Sequence, residues 1–213
     1  MAKIPEGILG ALIGRAGTVS GYMRNGQNIL RTSTRRKDKK ITPKRTAQRQ
    51  KIKVCNDFTK AFTGTGFFNK SFPAYGDTGT GYNRATSTLM NLAITGSYPD
   101  TFISYPLVLI SKGPLPGAEN ASAEVNNESN ILFSWIDNCG TGTAKADDRI
   151  IAVAYFPALK QVMYSLNAGI RSDCFAILQT NKMQGYTAET WIGFLSNDEK
   201  DTANSVYTGS HLL

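Results

Sequence analysis

Eleven lysines and arginines fall between Arg31 and Lys53 against a single acid, Asp38. They are Arg31, Arg35, Arg36, Lys37, Lys39, Lys40, Lys44, Arg45, Arg49, Lys51 and Lys53. Side chains of this type at this density neutralise phosphates, and the released counterions drive binding without regard to base sequence. The first sixty residues hold fifteen basic and three acidic side chains and the rest of the chain nine and thirteen, so the formal +8 of the 213 residues is a local property. Ordinary helices also carry solvated cationic faces. Here the charges are dense enough to repel one another strongly, a cost that a polyanion removes. Tyr22, Phe58, Phe67 and Phe68 flank the run, as stacking surfaces if exposed and as core if buried. The pattern points to sequence-independent contact with nucleic acid or another polyanion, the eleven cations positioning phosphates rather than reading bases.

Other chemistry finds few residues to work with. The lone histidine, His211, stands two residues from the end of the chain, a poor place for a nucleophile's base. Asp147 and Asp148 are adjacent, and with Asp137 and Glu124 they could meet at one end of a β-sandwich as oxygen ligands, but no calcium-loop spacing supports this. A hydrolase built on Asp147 or Asp148 is the weakest of three readings. The cysteines, Cys55, Cys139 and Cys174, are odd in number and lack metal-ligand spacing, which predicts reduced thiols. Gly7, Gly10, Gly14 and Gly17 precede no Gly-Lys-Ser/Thr and follow no strand, so they are not a phosphate-binding loop. No catalytic residue, metal or cofactor is expected.

These side chains need a scaffold, and with 41% hydrophobic residues the chain can build one. No apolar run approaches the roughly twenty residues of a membrane-spanning helix, and Glu6 interrupts any leader-like start, so the expected location is cytoplasmic at synthesis and then within a virion or other particle. Asn25-Gly26 between two short β-prone runs predicts a hairpin. Thr42-Pro43 predicts a helix start. Ala47, Val54, Cys55, Phe58 and Phe62 follow at helical spacing, with lysines and arginines over the remaining surface. A second helix fits Tyr82–Ile94, after a glycine-rich loop over 64–81.

From Phe102 the pattern turns to period two. Seven strands are predicted: Phe102–Ser111, Asn130–Ile136, Arg149–Phe156, Leu159–Leu166, Cys174–Gln179, Tyr186–Ser196 and Ser205–Thr208. The fold class is mainly β, α+β overall: an antiparallel immunoglobulin- or fibronectin-like sandwich in the C-terminal half, preceded by a hairpin, a basic segment and two helices. The domains divide as 1–63, 64–101 and 102–213.

The segment Ile131-Leu-Phe-Ser-Trp-Ile-Asp-Asn, with Gly185-Tyr-Thr-Ala-Glu-Thr-Trp-Ile-Gly-Phe, resembles the early tryptophan strand and late tyrosine strand of fibronectin type III modules. Over nearly the whole chain, a wider set of segments is similar to a family of uncharacterised proteins of Bacteroidota and their phages. These are the Gly-Thr-Val-Ser-Gly-Tyr hairpin, the Arg31-rich run, Thr42-Pro with Gln48 and Arg49, Asn91-Leu-Ala-Ile-Thr-Gly, Ser111-Lys-Gly-Pro-Leu-Pro-Gly, Trp135-Ile-Asp-Asn and Asn204-Ser-Val-Tyr. That resemblance implies no known activity. The functional expectation is a non-enzymatic structural protein that contacts nucleic acid in a multi-copy, homo-oligomeric assembly. The alternative is an adhesive or scaffolding sandwich of a surface or phage-tail apparatus, whose basic arm docks on an acidic protein.

Overall fold

The computed structural model describes residues 2–7, 10–24, 26–32, 41–76, 79–126 and 128–213. The backbone divides into two compact units, Met1–Thr42 and Pro43–Leu213. This differs from the division at 63 and 101 read from the sequence, because the helices bury their apolar stripe on the sandwich and form one body with it.

The first unit is a three-stranded antiparallel sheet of β1 (Gly14–Ala16), β2 (Val19–Arg24) and β3 (Gln27–Thr32), in that order. The expected hairpin is β2–β3, with Arg24 opposite Gln27 and Val19 opposite Thr32. The tip residue, Asn25, lies outside the described residues. A pair of strands is marginal alone, and β1 supplies the third, with Gly14 opposite Gly21. Gly21 has to be glycine: a Cβ there would sit 2.1 Å from the Leu12 carbonyl oxygen, where the chain crosses one face of the sheet.

The second unit opens with α1 (Pro43–Thr59), a 3-10 turn over Lys60–Phe62, the short α2 (Phe67–Ser71) and α3 (Gly81–Leu92). Thr80 caps α3, its hydroxyl accepting from the Asn83 amide. Gly81 lets this helix start press on α2, since a Cβ would lie 2.0 Å from the Phe68 carbonyl oxygen. Two-residue strands β4 (Ile94–Thr95) and β5 (Phe102–Ile103) pair next.

Seven strands then make the sandwich: β6 (Glu119–Val125), β7 (Ile131–Ile136), β8 (Arg149–Phe156), β9 (Gln161–Ser165), β10 (Phe175–Leu178), β11 (Thr187–Leu195) and β12 (Val206–Leu212). They form one sheet ordered β10-β7-β6 and another ordered β12-β11-β8-β9, all neighbours antiparallel. The mainly β, α+β class is as expected, and Trp135 stands on the early strand β7 while Tyr186 immediately precedes the late strand β11.

The expected strand over Phe102–Ser111 is not one. Only Phe102 and Ile103 pair, and Tyr105–Leu107 turns as a 3-10 helix with Pro106 inside it. Proline lacks the N–H a ladder requires. Beyond it, Ile110 donates its N–H to the Ser205 hydroxyl at 2.9 Å instead of to a strand. The seventh sandwich strand is β6, whose Ala, Ser, Asn and Glu residues give little β signal.

The four-stranded sheet is the middle layer. Ile151, Val153, Tyr155 and Trp191 pack against Phe58, Phe62, Phe67 and Leu89 of the helical layer. Ile150, Ala152, Phe156, Ile192 and Phe194 face the other way, onto Ile131, Phe133 and Leu178 of the second sheet. A strand covered on both faces has no solvent side, which is why β8 reads Ile-Ile-Ala-Val-Ala-Tyr-Phe without polar alternation.

Candidate polyanion-binding surface

Helix α1 carries five of the eleven cationic residues. Pro43 occupies its first position, where a missing N–H costs nothing. Its buried residues are Cys55, Phe58 and Thr59, all in the last turns. Phe58 meets Tyr155 edge-on at 4.8 Å and Trp191 at 6.2 Å. Thr59 Oγ1 lies 2.8 Å from the Tyr82 hydroxyl of α3. At the C-terminal end, Asp57 pairs with Lys160 at 3.2 Å. The first three turns, by contrast, bury no side chain.

Lys44, Arg45, Arg49, Lys51 and Lys53 all lie in those turns, and no acid occurs from Pro43 to Asn56. Arg45, Arg49 and Lys53 are exposed at i, i+4 and i+8, one row with steps of about 6 Å along the axis. Lys44 and Lys51 sit a quarter-turn or more away, on the extension of the stripe that buries Cys55 and Phe58, and Lys51 is half-buried. Lys44, Arg49, Lys51 and Lys53 have no ion-pair partner among the described residues. Cations one turn apart repel by a few tenths of a kcal/mol per pair, and Lys44 and Arg45 stand at the positive end of the helix dipole with no acid in the first turn. A bound anion relieves both.

Of the remaining residues singled out from sequence, Arg31 is exposed on β3. Arg35, Arg36, Lys37, Lys39 and Lys40 lie outside the described residues. Arg15 and Arg24, which the sequence reading did not single out, share Arg31's face of the small sheet. Arg15 is opposite Ser20, Ser20 is opposite Arg31, and Arg24 is two residues beyond Tyr22. The signal was the period-two spacing Ser20, Tyr22, Arg24, which becomes meaningful only once the register is known. The aromatics divide as well. Tyr22 is exposed, whereas Phe58, Phe67 and Phe68 are core.

Three of the four carboxylates have structural partners, and the fourth, Glu124, lies exposed on the edge strand β6. Asp148 is buried and bonded to Arg171, Asp147 accepts from Asn197 at 3.1 Å, and Asp137 accepts from the Cys139 amide at 2.9 Å. No group of three or more His, Cys, Asp or Glu able to hold a metal occurs among the described residues. His211, on β12, has its Nε2 3.3 Å from the Thr208 carbonyl oxygen. Burial pushes the Cys55 thiol up to about 11. The Asp137 carboxylate raises Cys139 to about 11 as well, so neither is a ready thiolate at neutral pH. No helix among the described residues is long and apolar enough to cross a membrane.

One acidic turn has a pH signature. The Ser196 hydroxyl and the Lys200 amide hold Asp198 at about 2, below the ordinary 3.8. Lys70 and then Arg149 hold Glu199 below its ordinary value. Both folded values are depressed, so the stabilisation is present above the unfolded values and is lost as pH falls through the folded ones. The 196–201 turn will therefore loosen between about pH 4 and pH 2. An NMR titration that finds the Asp198 carboxyl titrating at its ordinary value would refute this, and Asp198→Asn should abolish its share of the transition.

None of the curated proteins matches the chain. A family model matches residues 11–209, a span that takes in the small sheet, α1 with its cationic row and all but the last strand residues of the sandwich. The chain belongs to the family of unknown function DUF6266.

Proposed function

We propose that the chain is a non-enzymatic structural or assembly protein whose basic N-terminal region contacts nucleic acid without sequence preference, working in several copies within a virion or other nucleoprotein particle. One observation carries the reading: the exposed, acid-free half of α1 with its row Arg45, Arg49 and Lys53. Lys44, Arg49, Lys51 and Lys53 make no ion pair among the described residues. The row follows directly on the basic run Arg35–Lys40 in sequence.

Charge reversal tests this. Each phosphate contact adds about 0.9 to the slope of log affinity against log salt on duplex DNA. The triple variant Arg45→Glu, Arg49→Glu, Lys53→Glu should lower that slope by roughly 2 to 3 and weaken binding of every sequence alike. An unchanged slope removes α1 from the interface.

The second reading, a protein-interaction module docking its basic arm on an acidic protein, draws on a different observation. Ile136, Phe175 and Ile177 are exposed on β7 and β10 of the three-stranded sheet. Purification without added nuclease separates the two. Nuclease-sensitive absorbance at the nucleic-acid maximum supports the first, and a salt-labile complex with an acidic protein supports the second.

A further inference from the structure

We propose that the Tyr22 face of the β1–β2–β3 sheet is a stacking platform for single-stranded nucleic acid, an inference that rests on the nucleic-acid reading above. The argument comes from strand register. On one face of β2 stand Ser20, Tyr22 and Arg24. Ser20 lies between Arg15 of β1 and Arg31 of β3, Tyr22 is opposite Ile29, and Arg24 is opposite Gln27. Residues two apart on a strand are about 7 Å apart, and neighbouring strands about 4.8 Å. The Tyr22 position is thus flanked along the strand by Arg24 on one side and by the Arg15–Arg31 row on the other. The two cationic positions are therefore about 14 Å apart along the strand, with the ring midway, so that long arginine side chains leaning inward can reach the phosphates on either side of a base stacked on it.

The sheet's two faces differ. The Leu12 backbone crosses the Gly21 face, whereas Tyr22 is 39% exposed, and Arg15, Arg24 and Arg31 are exposed beside it. No acid occurs between Glu6 and Asp38 to neutralise these arginines by proximity in sequence. Arg15 spends its Nε–H on the Gly17 carbonyl at 3.0 Å, which leaves its terminal nitrogens for a phosphate. A duplex shows such a face only its backbone, since its bases are stacked on one another. An unpaired base can lie on the tyrosine ring while arginines hold the phosphates on either side. Arginine suits this role because its planar fork donates to phosphate oxygens in pairs.

The experiment uses the full chain with two labelled probes, an oligothymidylate and a mixed-sequence duplex of equal length, read by fluorescence anisotropy over a salt series. Tyr22→Ala should weaken the single strand about tenfold, equivalent to about 1.4 kcal/mol, with its salt slope and the duplex affinity unchanged. Tyr22→Phe, which keeps the ring, should bind like the parent. Arg24→Ala with Arg31→Ala should lower the single-strand slope by roughly 1.4, at about 0.7 per phosphate. Circular dichroism of each variant confirms the fold, and should the alanine variant unfold, an unchanged single-strand slope in the Arg24→Ala, Arg31→Ala variant overturns the platform. Equal weakening of both probes by Tyr22→Ala, or none, overturns the platform while leaving the α1 interface standing. Polyglutamate competing as well as oligothymidylate overturns it too, marking the face as a general polyanion contact. Failure of the parent protein to bind either probe defeats the nucleic-acid reading itself.

Discussion

Arg171→Ala will lower the unfolding free energy by about 3–5 kcal/mol, a large share of the 5–15 kcal/mol available to a domain. The guanidinium is fully buried. Its Nε donates to Asp148 Oδ2 at 3.1 Å, one terminal nitrogen to Asn138 Oδ1 at 2.5 Å and the other to the Pro116 carbonyl at 3.1 Å. Its planar head lies 3.6 Å from the centre of the Phe194 ring. The Arg171 carbonyl accepts the Trp135 indole N–H at 2.9 Å. One side chain thus ties three loops to the sandwich core. Removing it strands the Asp148 carboxylate in a dry site, leaves Asn138 without its donor and opens a cavity beside Phe194. The pair need not be stabilising relative to a well-packed apolar substitute, so Arg171→Met with Asp148→Asn should recover part of the loss. Urea unfolding of the two single variants and the double gives the coupling. A single-variant loss below about 1 kcal/mol would show that the loops stand without the arginine.

Phe58→Ala will cost about 3–5 kcal/mol and will release α1 before the sandwich opens. Phe58 is 2% exposed and makes ring contacts with Phe62, Tyr155 and Trp191. It is the largest of the three side chains α1 buries, the others being Cys55 and Thr59. Its loss takes the chief apolar anchor from a seventeen-residue helix whose first turns bury nothing. Hydrogen exchange should therefore find α1 amides unprotected while β8 and β11 remain slow. Uniform loss of protection across helix and sheet would mean that the helical layer and sandwich open as one cooperative unit, and would contradict the ordering.

Some of this was legible in the sequence because the rules involved are local. The β2–β3 hairpin followed from Asn25-Gly26, the start of α1 from Thr42-Pro43, and α3 from helical periodicity after a glycine-rich loop. The later sandwich strands followed from β-branched and aromatic runs between turn residues. Where the local signal conflicted with context, the reading failed. Val108 and Ile110 alternate like strand residues and are buried, yet Pro106 turns the chain and Ser205 supplies the hydrogen bond. The edge strand β6 buries only Ala123, so its solvent-facing Asn, Ser and Glu residues look like loop. The short α2 hides between glycines because its Phe67 and Phe68 are placed by the aromatic cluster they join.

The candidate site divides in the same way. Charge is a property of composition, so the sequence by itself determined that a cationic segment exists, where it lies and what class of ligand it suits. Tertiary structure alone decided which cations share a surface. The core anchors only the end of α1, which leaves Arg45, Arg49 and Lys53 in an exposed row, and strand pairing brings Arg15, Arg24 and Arg31 around Tyr22. It also decided the fate of the acids, because the burial of Asp148 depends on Arg171, which is twenty-three residues away and reaches it only in the closed sandwich. Local backbone preferences act over a few residues and can be read in order along the chain, whereas burial and pairing depend on which distant segments meet.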